Sequence, residues 1–93
     1  MSRKHHELKT ETQWYQAVES GLKTFEVRKN DRNFKLGDCL NLVEVVQGIY
    51  TGRKLEPLEV VYILPGGAFG LHEDYCILGF VRSMRYECPI IAQ

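Results

Sequence analysis

The sequence predicts a mainly β chain with an α+β character: a small barrel of five or six strands with one main N-terminal helix. Three observations predict it. After residue 21 the apolar residues recur every second position, the period of a half-buried strand. Gly-, Asn- and Asp-rich turn clusters follow one another at short intervals, so neighbouring strands pair mostly antiparallel. Only residues 11–20 carry helical spacing. Closing such a sheet also removes its exposed edges.

A short strand is expected around His6 to Lys9. The helix follows, with Thr10 as N-cap and Gln13 completing a capping box. Trp14, Ala17 and Val18 form its apolar stripe, with Trp14 read first as the core anchor and second as a stacking platform for a base, and Gly21 ends it as a left-handed C′ residue. Thr24 to Arg28 alternates, which places Phe25 and Val27 in the core and Thr24, Glu26 and Arg28 on the opposite face. Asn30 to Asn33 and Gly37-Asp38 are turns. Cys39 to Val46 is a strand whose apolar residues fall in both phases, so it needs a bulge or burial on both faces. Gly48 and Gly52 bracket a hairpin returning as Arg53 to Glu56. Leu58 to Leu64 is a further strand, Pro65 to Glu73 a glycine-rich loop, and Tyr75 to Val81 a strand buried on both faces. Residues 1–84 make one domain and 85–93 a C-terminal tail.

Composition narrows the function. Twelve Lys+Arg offset twelve Asp+Glu, so no whole-molecule basic field attracts nucleic acid, and any basic surface is local. The longest uncharged apolar stretch, Val60 to His72, is interrupted by Pro65-Gly66-Gly67 and is too short for a bilayer, which needs about 20 residues. No signal peptide is expected, because a polar segment follows the basic N-terminus. Cys39, Cys76 and Cys88 lack C-x-x-C spacing, which suggests buried reduced thiols in a reducing, cytoplasmic setting. His5 and His6 adjoin the terminus and His72 lies in a loop, so they read as tail and loop histidines without partner ligands, and neither a metal site nor a cofactor is expected.

Charge concentrates in one segment. From Leu22 to Leu36 five basic residues (Lys23, Arg28, Lys29, Arg32, Lys35) meet two acidic ones (Glu26, Asp31), a local charge of +3. Lysine offers phosphate a point charge and arginine a bidentate fork. The competing explanation is a solvated strand with a surface ion pair worth about 0–1 kcal/mol.

The same segment carries a resemblance. Gly21-Leu22-Lys23-Thr24-Phe25-Glu26-Val27-Arg28 fits G-x-K-x-x-E-x-R, the signature of the ASCH domain, a PUA-like β-barrel. With His6 to Lys9, the run on to Arg32, Leu36-Gly37-Asp38, Tyr50 to Arg53 and Gly70 to Gly79, the chain resembles a small ASCH-related family of bacterial and phage proteins without an assigned activity. The similarity covers about residues 6 to 82. It implies a cleft between the helix and the strands, lined by Lys23, Glu26 and Arg28 with Lys9 near it, and RNA or a nucleotide as the partner; the sequence does not fix the oligomeric state, and a monomer is favoured. Lys9, Lys23, Glu26, Arg28 and Arg32 are the expected nucleic-acid-binding residues, and Tyr50 and Phe69 the candidate stacking groups. An enzymatic alternative follows from ASCH proteins that hydrolyse acetylcytidine with a Lys, a Thr and a distant Glu. Lys23 matches that Lys, but Glu26 stands at the Thr position. An amidohydrolase would therefore draw on Lys23, Thr24 and Glu26, with Glu73 or Asp74 as the distant carboxylate. A protein-interaction module is the third class compatible with the neutral charge.

Overall fold

Burial alternates along the first strand, with His6, Leu8 and Thr10 turned inward and Glu7, Lys9 and Glu11 outward. The computed structural model describes residues 3–82. In order these are β1 (His5–Glu11), α1 (Thr12–Glu19), β2 (Phe25–Lys29), β3 (Cys39–Val46), β4 (Ile49–Pro65) and β5 (Tyr75–Arg82). They form one sheet in the order β1-β3-β4-β5-β2, with β1 parallel to β3 and every other pairing antiparallel. The mainly β chain with a single N-terminal helix is thus as expected, with five strands. The expected tail from residue 85 lies outside the described residues.

The sheet does not close by a backbone ladder. β1 and β2 are its two ends, and side chains span the gap between them. Arg28 Nη2 donates to the Lys9 carbonyl at 2.7 Å, and Arg32 Nη1 donates to the Glu7 carbonyl at 2.8 Å. The sheet therefore curls until its ends face each other, and two arginines occupy the place a fifth, closing strand pairing would fill. This leaves a cleft beside β2 that a sealed barrel would lack.

The core fills the curl. Leu8 of β1, Tyr15 and Val18 of α1, Leu40 and Leu42 of β3, Leu58 and Val60 of β4, and Leu78 and Phe80 of β5 are all buried. Burial continues on both sides of β3 from Leu42 to Val45, and its ladder with β4 slips twice, so both devices expected of that strand are present. One slip lies where Leu40 pairs with Leu58 and Leu42 with Leu55, which brackets Pro57. A bulge is where a strand tolerates a residue without an N–H, so the two strands expected on either side of Pro57 are one continuous β4. The hairpin turn is Gln47-Gly48, both at positive φ, a two-residue connection matching strand twist; Ile49 to Thr51 already belong to β4. In β5 only the Cys76, Leu78 and Phe80 face is fully buried, while Tyr75 and Val81 are exposed.

Three further expectations are corrected. The N-cap of α1 is Glu11, without a side-chain cap hydrogen bond, because the Thr10 hydroxyl donates instead to the Leu8 carbonyl at 3.1 Å inside β1. His6 is no loose tail residue. It is buried, 2.8 Å from an Asp38 carboxylate oxygen, with its ring edge-on to Phe34. Asp38 also accepts from the backbone N–H groups of Lys4 and Lys35, so this pair pins the start of β1 to the turn before β3. Cys39 is disulfide-bonded rather than a reduced thiol, whereas Cys76 is free and buried.

Burial pushes the Cys76 thiol up from its ordinary range, and the Asp31 carboxylate adds a smaller push the same way. The folded chain therefore holds this proton after the unfolded chain has lost it. Its contribution to stability is complete below about pH 8.5 and falls as pH rises beyond that. Alkylation of Cys76 in the folded protein at pH 8, followed by mass spectrometry, should be slower than in denaturant by about the fraction of time the core is open. Equal rates would place the thiol at the surface.

Candidate functional site

The end of α1 sets the site. Gly21, at φ +87°, donates its N–H to the Val18 carbonyl at 3.0 Å, and Leu22 donates to Ala17 at 3.1 Å. These are the two bonds of a Schellman motif, as the glycine predicted. The Lys23 N–H also bonds the Ala17 carbonyl, so the chain leaves the helix with Lys23 fixed beside the start of β2.

Strand β2 then presents the face opposite to that expected. Phe25 and Val27 are 41% and 46% exposed, whereas Glu26 is 4% exposed and Arg28 points inward with it. A change of one residue in strand phase exchanges every side chain between faces. The inward carboxylate is stable because cations flank it. Lys23 Nζ lies 2.6 Å from Glu26 Oε2 and also donates to the Phe25 carbonyl at 2.6 Å. Arg28 Nη2 is 3.4 Å from Glu26 Oε1 and 3.1 Å from the Thr10 hydroxyl, besides its bond to Lys9. Thr10 is thereby an acceptor for the guanidinium and not a helix cap.

Two adjoining pockets of about 330 Å³ each open over this cluster. Glu26, Val27 and Trp14 line both, so they form one groove along the free edge of β2. Trp14 is 49% exposed on the groove wall, and Tyr15 takes the buried position of α1 expected for Trp14. Lys23 and Phe25 complete one pocket; Lys9, Arg28, Lys29 and Tyr75 belong to the other.

Of the five expected binding residues, the groove gathers Lys9, Lys23, Glu26 and Arg28. Arg32 lies outside it, on the β1 seam with Asp31 3.9 Å away. Tyr50 and Phe69 are exposed but line neither pocket; Lys9 Nζ approaches the Tyr50 ring at 5.8 Å. Thr24 is exposed and outside the groove, as are Glu73 and Asp74 in the loop before β5. That loop folds tightly: a Cβ on Gly66 would collide with the carbonyls of His72 and Tyr75. Thr10, Glu11, Phe25, Val27 and Tyr75 are the groove residues that the pattern did not reveal as such, and Trp14, read first as a core anchor, joins them. The adjacent aromatics Trp14-Tyr15 were the available signal, since neighbours on a short helix do not share a face. Among the described residues no group of three or more His, Cys, Asp or Glu is placed to hold a metal ion, and no helix is long and apolar enough to cross a membrane.

Fold and site together define a small curled-sheet protein with a buried glutamate, flanked by a half-buried lysine and arginine, under an aromatic-walled groove. Residues 5–80 match the family described as "Domain of unknown function (DUF3850)", and the chain belongs to that family. It is also similar to a phage protein, the uncharacterised 12.9 kDa protein in the GpA 3′ region of Escherichia phage P2. The two are 48% identical over 56 residues, which is 60% of this chain and 51% of the phage protein. The chain thus matches about half the length of that relative.

Proposed function

We propose that the groove binds single-stranded RNA or a nucleotide, as an ASCH-like, PUA-like cleft would. The observation that carries this reading is the buried Glu26, held between Lys23 and Arg28 beneath the half-exposed Trp14. An exposed indole offers a base a stacking surface, and an open base edge is what single-stranded recognition uses. Four cationic and two anionic side chains line the two pockets, a local positive balance in a neutral chain. The amidohydrolase alternative is weaker, because it needs Thr24 on the same substrate as Lys23 and Glu26, and Thr24 stands outside the groove.

Fluorescence anisotropy of short labelled RNAs at two salt concentrations tests the reading. Saturable, modest binding is expected, with a salt slope of about −0.7 per phosphate neutralised. Trp14→Ala should abolish most of it while the melting curve stays close to that of the unsubstituted protein. The absence of saturable binding to any RNA or nucleotide would remove the reading and favour a protein-interaction role.

A further inference from the structure

The two halves of the groove differ in chemistry. One is walled by Trp14, Phe25 and Val27, each between 41% and 49% exposed, with Lys23 Nζ 4.9 Å from the Phe25 ring. The other carries Lys9 from β1 and Lys29 from the end of β2, on either side of Arg28. Cations in the two places are not equally free. Lys23 is engaged by Glu26 and the Phe25 carbonyl; Arg28 is engaged by Glu26, the Thr10 hydroxyl and the Lys9 carbonyl. Lys9 and Lys29 are exposed, and among the described residues neither forms an ion pair.

We propose that the groove divides one nucleotide between its halves: the base stacks against Trp14 in the Phe25–Val27 half, and its phosphate is held by Lys9 and Lys29. This rests on the nucleotide-binding reading above and deepens it. Phosphate recognition passes from Lys23 and Arg28, whose donors hold Glu26 and β1, to two exposed lysines that form no ion pair among the described residues, Lys9 keeping only a contact of 5.8 Å to the Tyr50 ring. An ammonium on a flexible stem can follow a phosphate as a point charge, which suits two exposed lysines that line one half of an open groove. The base half is apolar and open, so an aromatic ring displaces water there and gains stacking. Glu26 lines both halves and marks their boundary. The Glu11 carboxylate also lines the phosphate half and weakens anion binding, so Glu11→Gln should tighten it.

Trp14 is the sole tryptophan of the chain, so its emission reports on the base half directly. The probes are the four ribonucleoside 5′-monophosphates, their nucleosides, and a six-nucleotide RNA of the best-binding base. At least one monophosphate should quench Trp14 saturably and bind about tenfold or more tightly than its nucleoside, the scale of a charge-assisted contact. Lys9→Gln with Lys29→Gln should erase that difference and flatten the salt dependence. Both side chains are exposed, so the melting curve should not move. Tighter binding of the hexanucleotide than of the monophosphate would assign the phosphate to a strand, and the reverse to a free nucleotide; both support the division. RNA binding seen by anisotropy but unaffected by the double lysine substitution, or without any change in Trp14 emission, would overturn the division and leave RNA binding standing. If no probe binds by either readout, both readings fall.

Discussion

Replacing Lys23 and Arg28 together by alanine is expected to lower the unfolding free energy by about 3–5 kcal/mol, the cost of leaving a buried carboxylate without its partners. The Glu26 side chain is only 6% exposed, and the two cations supply every side-chain donor that reaches it among the described residues. The strand phase read from the sequence put these groups on an outer face, where the same double substitution would leave stability unchanged. Denaturant melts separate the two. A fall in midpoint at constant slope supports the inward cluster, and an unchanged midpoint means that water reaches Glu26. A triple variant, Lys23→Met with Glu26→Leu and Arg28→Met, should recover most of the loss, because an apolar replacement removes the charge that needed partners. It should also bind ligand more weakly, since Glu26 lines both halves of the groove and the variant removes its charge.

What was legible in the sequence follows the range of the interaction concerned. Gly21 ends α1 through bonds to residues three to five positions back, and the strand limits Cys39 to Val46 depend on local turn chemistry; both were readable. The phase of β2 was not. An alternating strand states which residues share a face, but which face is buried depends on what meets it. Glu26 and Arg28 go inward because Arg28 finds the Lys9 carbonyl and the Thr10 hydroxyl, 19 and 18 positions away. No local pattern contains that information. The same long-range bond diverts Thr10 from capping α1. Pro57 misled in the other direction, since it reads as a strand end and the bulge opposite Leu40 to Leu42 absorbs it. The signature positions Lys23, Glu26 and Arg28 lie together in the folded chain. Their salt bridges turn toward each other, and among the described residues Lys29 forms none.

The helix supplies the second large effect, through a contrast between neighbours. Tyr15→Ala is expected to cost about 3–5 kcal/mol, the usual loss for a fully buried large aromatic. The ring is 1% exposed in the main core, and the Arg53 guanidinium stands 5.2 Å from it. Arg53 in turn pairs with Glu19 at the end of α1 and lies 3.7 Å from the buried Glu44 of β3, so Tyr15 sits under the clasp that fastens the helix to the sheet. Trp14→Ala removes a larger side chain that is about half in water, and should cost less than about 1 kcal/mol. Ligand binding should reverse the order of interpretation. Trp14→Ala loses binding in a folded protein, because the groove loses its wall. Tyr15→Ala loses binding only to the extent that α1 undocks, so adding a stabilising osmolyte should restore it. Thermal melts beside binding titrations on both variants decide the matter. A large stability loss for Trp14→Ala and a small one for Tyr15→Ala would rotate the helix by one position, turn the indole into the core, and leave the groove without its stacking surface.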